Sequence, residues 1–256
     1  MSTIPASAVA SLRARTGVSI LECKKALDEA NGDEESAIEI LRKHGAAQAV
    51  KKAARDQSEG LVFCATEPGK IAFVQLKCET DFVARNADFQ ALGKELADLA
   101  LHKGVDAVKG VQEKITAAVQ QLGENISLGD MAVVEGSTLG YYVHTNGKIA
   151  VAIALNGGSP EIAKDVSMHA AAMSPAYVSP EEVPAETIMK EKEIWTEQLA
   201  KEGKPAQIME KIMIGKEKKF REENALIKQA FVKNPEQTIE QYLGGATIEQ
   251  YVRIAV

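Results

Sequence analysis

Residues 60–77 read Gly-Leu-Val-Phe-Cys-Ala-Thr-Glu-Pro-Gly-Lys-Ile-Ala-Phe-Val-Gln-Leu-Lys. Over this stretch the apolar pattern becomes strand-like: Leu61-Val62-Phe63, a Pro68-Gly69 turn, then alternating apolar residues from Ile71 to Lys77, which predicts an antiparallel hairpin. From about Asn86 a helical period takes over, with Phe89, Leu92, Leu96 and Leu99 on one stripe. The same order recurs downstream. A helical stretch over residues 111–122 closes at Gly123, and strands are expected at 131–134 and 139–143. Asn146-Gly147 then turns the second of these into residues 149–155, ahead of a helix from Glu161 to about Met173. A hairpin followed by an amphipathic helix, met twice, predicts an α+β core of two similar halves with antiparallel sheets.

Upstream of residue 60 the signals are helical. Thr3 with Pro5 opens a first helix that Thr16-Gly17 closes. Ser19 and Glu22 have capping-box spacing at the head of a second helix, which Asn31-Gly32 ends. Asp33 begins a third, running through Ile38 and Leu41 toward Gly45, and Val9, Leu12, Cys23, Leu27, Ile38 and Leu41 can share one small core. Residues 46–59 are Ala-rich and basic and read as a helical linker. Downstream, residues 181–223 hold nine basic and eleven acidic side chains, with Ile188, Trp195 and Leu199 along one side and Ile208, Ile212 and Phe220 along another. Glu186-Lys190, Glu197-Lys201 and Glu217-Arg221 have the favourable i, i+4 order, so this run predicts two solvated helices broken at Gly203-Lys204-Pro205, a projecting antiparallel hairpin. Residues 237–243 read as helix, and 248–256 as a strand that rejoins the second sheet. The resulting division is 1–56 for the three-helix domain and linker, 57–139 for the first core half, 140–180 with 225–256 for the second, and 181–224 for the coiled-coil-like hairpin.

Composition narrows the function. The chain of 256 residues is 45% apolar and 26% charged, near the globular average and long enough for about two domains. A net charge of -6 argues against a partner bound through phosphate neutralisation, so no direct nucleic acid is expected. Cys23, Cys64 and Cys78 form no C-x-x-C pair or zinc pattern, which points to reduced thiols and no metal. The first residues lack the basic flank and apolar run of a signal peptide, and no stretch has the length of a membrane span; a cytoplasmic protein without membrane or cofactor is expected.

Two segments carry a family signature. One is Arg13-Ala14-Arg15-Thr16-Gly17 with Glu22-Cys23-Lys24-Lys25-Ala26-Leu27 and Ala30-Asn31-Gly32-Asp33; the other is Cys78-Glu79-Thr80-Asp81-Phe82-Val83-Ala84-Arg85-Asn86. The first resembles the ubiquitin-associated-like three-helix domain that opens elongation factor Ts, and the second resembles that family's most diagnostic motif. Weaker matches follow in family order: Gly123-Glu124-Asn125-Ile126, Met168-His169-Ala170-Ala171, Gly203-Lys204-Pro205, Lys218-Lys219-Phe220 and Phe231-Val232. The sequence departs from the family in stopping at Val256, where some members continue into a further helix that touches the partner; that contact is expected to be missing.

The resemblance implies a non-enzymatic guanine-nucleotide exchange factor whose partner is the GTPase elongation factor Tu. Phe82 would wedge between two helices of the GTPase domain while Thr80, Asp81 and Val83 help disturb its magnesium site. Magnesium demands near-ideal octahedral geometry, so a small displacement of its ligands weakens nucleotide binding. The resemblance also assigns Arg13, Ile20 and Leu21 to a helix beside the partner's base-binding side, and His144, Met168 and His169 to another partner domain. It permits a dimer of heterodimers through the helical hairpin.

Each residue also has a plainer reading. A large apolar side chain beside a helix start, as Phe82 is, ordinarily packs inward, and Thr80 and Asp81 would then be ordinary caps. Of the adjacent pair Ile20 and Leu21, one is partly exposed in any bundle helix. His144 and His169 lack metal-ligand spacing and read as satisfied structural histidines. An enzyme would need Cys78 as nucleophile or Glu79 and Asp81 as paired carboxylates, yet no nucleophile signature and no G-x-x-x-x-G-K-[ST] phosphate loop occurs. A general protein-binding or holdase module built on the three-helix domain is the remaining alternative.

Overall fold

The computed structural model describes residues 4–201 and 206–256, with the side chains of residues 206–208 left aside. Thr3, Gly203, Lys204 and Pro205, and the side chain of Ile208, lie outside the described residues. The chain opens with α1 (Ala6–Thr16), α2 (Ile20–Glu29) and α3 (Glu34–Lys52) around a core of Val9, Leu12, Cys23, Leu27, Ala37 and Leu41. The stops are conformational. Gly17 closes α1 at φ 67°, and Asn31 and Gly32 turn the chain between α2 and α3 at φ 52° and 89°. Only half of the expected capping box at α2 forms: Ser19 Oγ accepts from the Glu22 N–H, while the Glu22 carboxylate turns to Lys25 Nζ at 3.2 Å. A nearby ammonium competes for a carboxylate that would otherwise reach back to the chain.

Helix α3 runs on through Gly45 to Lys52, so the first half of the basic Ala-rich stretch forms its last turns and the rest leads irregularly into the first strand. Gly45 marks where α7 (Gln112–Leu122) crosses: a Cβ there would stand 2.4 Å from Gln120 Oε1. Gln121 likewise lies against Gly17, and Arg42 pairs with Glu113 at 3.1 Å, which seats the opening bundle on α7.

The middle of the molecule is four layers thick. One sheet has the order β1 (Glu59–Glu67), β2 (Lys70–Cys78), β3 (Ser127–Glu135), and the other β4 (Thr138–Val143), β5 (Ile149–Asn156), β8 (Thr247–Ala255), all neighbours antiparallel. Both share one connectivity: a hairpin, a long helix, a helical excursion, then a third strand on the far side of the hairpin's second strand. Helix α5 (Ala87–Lys103) covers the first sheet through Phe89, Leu96 and Ala100, and α8 (Pro160–Met173) covers the second through Ala163, Val166 and Ala170. The inner faces meet through Val62, Ile71, Phe73 and Val134 on one side and Ala150, Ala152, Ala154 and Ile254 on the other.

This layering overturns the expected alternation in the hairpin. Ile71, Ala72, Phe73, Val74, Gln75 and Leu76 are all buried, because the central strand has a helix on one face and a second sheet on the other. The polar exception is built in. At the register shift between Val74 and Leu76, Gln75 Oε1 accepts from the Asp130 N–H at 2.9 Å and Nε2 donates to the Ala255 carbonyl at 2.9 Å, tying the two sheets together.

The remaining elements are α4 (Asp81–Ala84), α6 (Val105–Lys109), α9 (Ala185–Lys201), α10 (Ala206–Asn224), a short β6 (Ala230–Phe231) and β7 (Asn234–Thr238) pair, and α11 (Ile239–Leu243). Helices α9 and α10 meet at Trp195 and Phe220, edge to face with ring centroids 5.8 Å apart, and at the Lys192–Glu217 pair at 2.6 Å. Ile188, Trp195 and Leu199 are buried, as one apolar stripe requires. Of the i, i+4 pairs, Glu186–Lys190 and Glu217–Arg221 close at 2.8 and 3.0 Å. Among the described residues no helix is long and apolar enough to cross a membrane.

Candidate functional site

Cys78 ends the central strand of the first sheet, and within three residues the chain has turned into α4, a helix of 4 residues. Thr80 caps it: extended at φ -129°, ψ 156°, its hydroxyl oxygen accepts from the Val83 N–H at 3.4 Å. One turn of helix sends its first and last side chains to opposite fates. Val83 and Ala84 enter the core beneath the first sheet, while Phe82 is 82% exposed. Asp81 stands beside it and pairs with Arg85 at 2.9 Å. A phenylalanine ring placed in water loses the transfer free energy that usually draws it inward, roughly 1.5–3 kcal/mol for a buried side chain. In the free chain the ring stays outside the packed core.

The junction before Phe82 is clamped from two other segments. Glu124, in the loop between α7 and β3, accepts three hydrogen bonds: from the Glu79 and Thr80 N–H groups at 3.0 Å each on Oε2, and from the Thr80 hydroxyl at 2.6 Å on Oε1. Glu79 answers in the other direction, its Oε1 accepting from the Asn125 N–H at 2.7 Å and pairing with Arg55 at 3.3 Å. Asn125 Nδ2 then donates to the Arg55 carbonyl at 3.0 Å, which anchors the chain just after α3. Gly123 at φ 80° makes the turn that aims Glu124 at the junction.

Other residues singled out in the sequence fall into two further places. Ile20 and Leu21 are 57% and 62% exposed at the start of α2, more than one partly exposed side chain of a bundle helix requires. Ile20 and the exposed Arg13 share a shallow groove with Val9, Ala14 and Lys24. His144 begins the turn after β4; it is exposed, and its Nδ1 lies 3.0 Å from the Tyr142 hydroxyl. Met168 is half-buried on α8, the helix that packs on β4. His169 departs from the expectation of a partner contact. It is fully buried, with Nε2 3.0 Å from Gln229 Oε1 and Nδ1 accepting from the Val232 N–H at 3.3 Å, and burial holds its pKa below the usual imidazole value. A side chain with no exposed surface reaches another molecule only through the segment it fixes, here Gln229 and Val232.

A sequence model of the family described as Elongation factor TS matches residues 79–256, the portion that begins at the clamped junction. The elongation factor Ts of Cellvibrio japonicus is 44% identical over 265 aligned positions, covering 100% of this chain and 91% of that protein. That of Deinococcus deserti is 42% identical, covering 96% of this chain and 97% of its own length. The chain belongs to the elongation factor Ts family. It is therefore a member of a family of translation elongation factors, with an α+β fold.

Within this family member, the residues that sequence reasoning did not assign to the site are Glu124, Asn125 and Arg55. Gly123-Glu124-Asn125-Ile126 was visible as a motif; its hydrogen bonds to a strand end 44 residues earlier were not. The nucleophile alternative meets a physical obstacle. Cys78 is fully buried, its Sγ donates to the Thr80 carbonyl at 3.2 Å, and burial with Glu124 nearby pushes its pKa up to about 12. Glu79 and Asp81 are each engaged by an arginine, Arg55 and Arg85. Among the described residues no three His, Cys, Asp or Glu side chains gather in a way that could hold a metal ion.

Proposed function

We propose that the chain is a guanine-nucleotide exchange factor for elongation factor Tu, acting in the cytoplasm and making or breaking no covalent bond. The observation that carries this reading is the outward Phe82 on a helix whose Val83 and Ala84 side chains are buried. In this mechanism Phe82 enters the GTPase domain between two helices, with Thr80, Asp81 and Val83 at the base of the wedge, and the partner's magnesium ligands shift. A nucleotide held at nanomolar strength is bound by roughly 12 kcal/mol. The factor weakens that hold only by its own preference for the nucleotide-free partner, and the coupling is reciprocal, so excess nucleotide expels the factor in turn. A large interface is needed to supply such a preference. Ile20, Leu21 and Arg13 on the opening bundle, and His144 with Met168 in the second half, are proposed as its other contacts.

A dimer of heterodimers, which the family resemblance permits, would form through α9 and α10 and use their exposed Met189, Ile194 and Ile214. The competing reading, a general binding or holdase module, predicts capture of unfolded chains without preference for a nucleotide-free GTPase. The test is release of a fluorescent GDP analogue from elongation factor Tu with and without this chain. Acceleration that saturates with added factor and reverses with excess GDP supports exchange; an unchanged release rate refutes it.

A further inference from the structure

We propose that Glu124 is a positioning residue for the Phe82 finger, holding the ring at the angle at which it enters the partner; this rests on the exchange reading above. The finger has little to hold itself. Its helix has 4 residues, well short of the length at which a helix persists alone, and Phe82 itself is 82% exposed. Orientation must therefore come from outside α4. Below, Val83 and Ala84 are fixed in the core. At the front, the hold from another segment is Glu124, which accepts from the Glu79 and Thr80 N–H groups, with the Thr80 hydroxyl completing a three-point hold.

The arrangement suits rigidity. A carboxylate makes shorter and stronger hydrogen bonds than a neutral acceptor. The same Thr80 oxygen that donates to Glu124 accepts from Val83, so displacing Glu124 also loosens the cap of the helix bearing Phe82. The reciprocal bond from the Asn125 N–H to Glu79 prevents the two loops from sliding past one another. Because the reacting geometry of an exchange factor is the placement of its wedge, a shift of about 1 Å at the base is expected to slow release by tenfold or more.

The test is a cycle of variants of the full chain in the fluorescent-GDP release assay: Phe82→Ala, Glu124→Ala, both together, and Glu124→Gln. If Glu124 acts through Phe82, Glu124→Ala lowers the release rate at saturating factor by about tenfold, and adding it to Phe82→Ala changes nothing further. Glu124→Gln recovers part of the rate, since its amide oxygen still accepts the two N–H groups. A second readout concerns motion rather than rate. In a Trp195→Phe background, which removes the chain's 1 tryptophan, the indole of Phe82→Trp should lose fluorescence anisotropy when Glu124→Ala is added. Losses that multiply in the double variant would mean that Glu124 touches the partner itself, and would overturn the proposal, as would an undiminished plateau for Glu124→Ala. If Phe82→Ala accelerates release as well as the parent does, the wedge role of Phe82 fails and this proposal with it, whereas a parent chain that does not accelerate release at all overturns the exchange reading itself. Should Glu124→Ala lose its thermal transition, Glu124→Gln takes its place in the same cycle: its smaller loss should likewise vanish in the Phe82→Ala background, and a loss that multiplies there overturns the proposal.

Discussion

Replacing Phe82 by alanine separates function from stability, and the structure sets both magnitudes. A phenylalanine can bury about 200 Å². With the residue 82% exposed, roughly 35 Å² is covered in the free chain, worth under about 1 kcal/mol at about 25 cal/mol/Å². The melting temperature of Phe82→Ala should therefore stay within a few degrees of the parent. The uncovered remainder, about 165 Å², is worth up to about 4 kcal/mol if the partner buries it fully and about 2 kcal/mol if it buries half. At 1.36 kcal/mol per tenfold, GDP release at saturating factor should slow by between about 30-fold and about 1,000-fold. Phe89→Ala is the contrast. That ring is fully buried in the first core, so its removal should cost about 3–5 kcal/mol of stability whatever happens to exchange. Stopped-flow release of a fluorescent GDP analogue and thermal unfolding on the same preparations give both numbers. Unchanged release by Phe82→Ala, with an unchanged melting temperature, refutes the reasoning.

Three further outcomes are expected. Gly140→Ala would place a Cβ 2.1 Å from the Lys164 backbone nitrogen and 2.3 Å from the Ala163 carbonyl carbon, where no rotamer change gives relief; a loss of about 3 kcal/mol or more should appear in denaturant unfolding. His169 has a lowered pKa from burial, so folded and unfolded states are both neutral above about 6.5, and the unfolded state alone gains a proton as pH falls below that. Stability should thus decline below about pH 6.5, and the deficit of His169→Gln relative to the parent should narrow on going from pH 7 to pH 5; a constant deficit would show that His169 does not contribute. Cys78, with its thiol pushed up to about 12, should resist iodoacetamide at neutral pH while exchange persists; rapid native alkylation with loss of exchange would reopen the nucleophile reading.

The elements with a strong period were legible in the sequence. The stripe of Phe89, Leu92 and Leu96, the turns at Pro68-Gly69 and Asn146-Gly147, and the strand-like tail ending at Val256 all correspond to observed elements, because each signal is local. What failed was information held in another part of the chain. Alternation in β2 could not survive a second sheet that only tertiary packing supplies. The Ser19 cap lost its reciprocal half to Lys25, and the β6 and β7 pair is too short to imprint a period. In the candidate site, the motif around Phe82 was readable and the outward direction of the ring was not, since one residue more or less of helix would turn it into the core. Glu124 was beyond reach for a similar reason: its three bonds close a loop that no spacing rule links to Thr80. For His169 the residues themselves pointed to a satisfied structural histidine, which its burial bears out, while the partner contact came only from the resemblance.

Helix α3 has 19 residues and so extends about 28 Å, from the turn that ends beside α2 to the carbonyl groups that Asn125 grips. It works as a rod that carries two jaws, Ile20 and Leu21 on the bundle it closes and Phe82 beyond the clamp that grips its far end. On the proposed reading, a partner seized by the first jaw meets the second at a fixed span rather than through renewed diffusion, which is the arithmetic of a stiff bivalent tether. Adding a single residue to that rod would turn everything beyond the insertion by about 100°, so the jaws would keep their mutual angle only if the seats of Arg42 and Gly45 on α7 gave way.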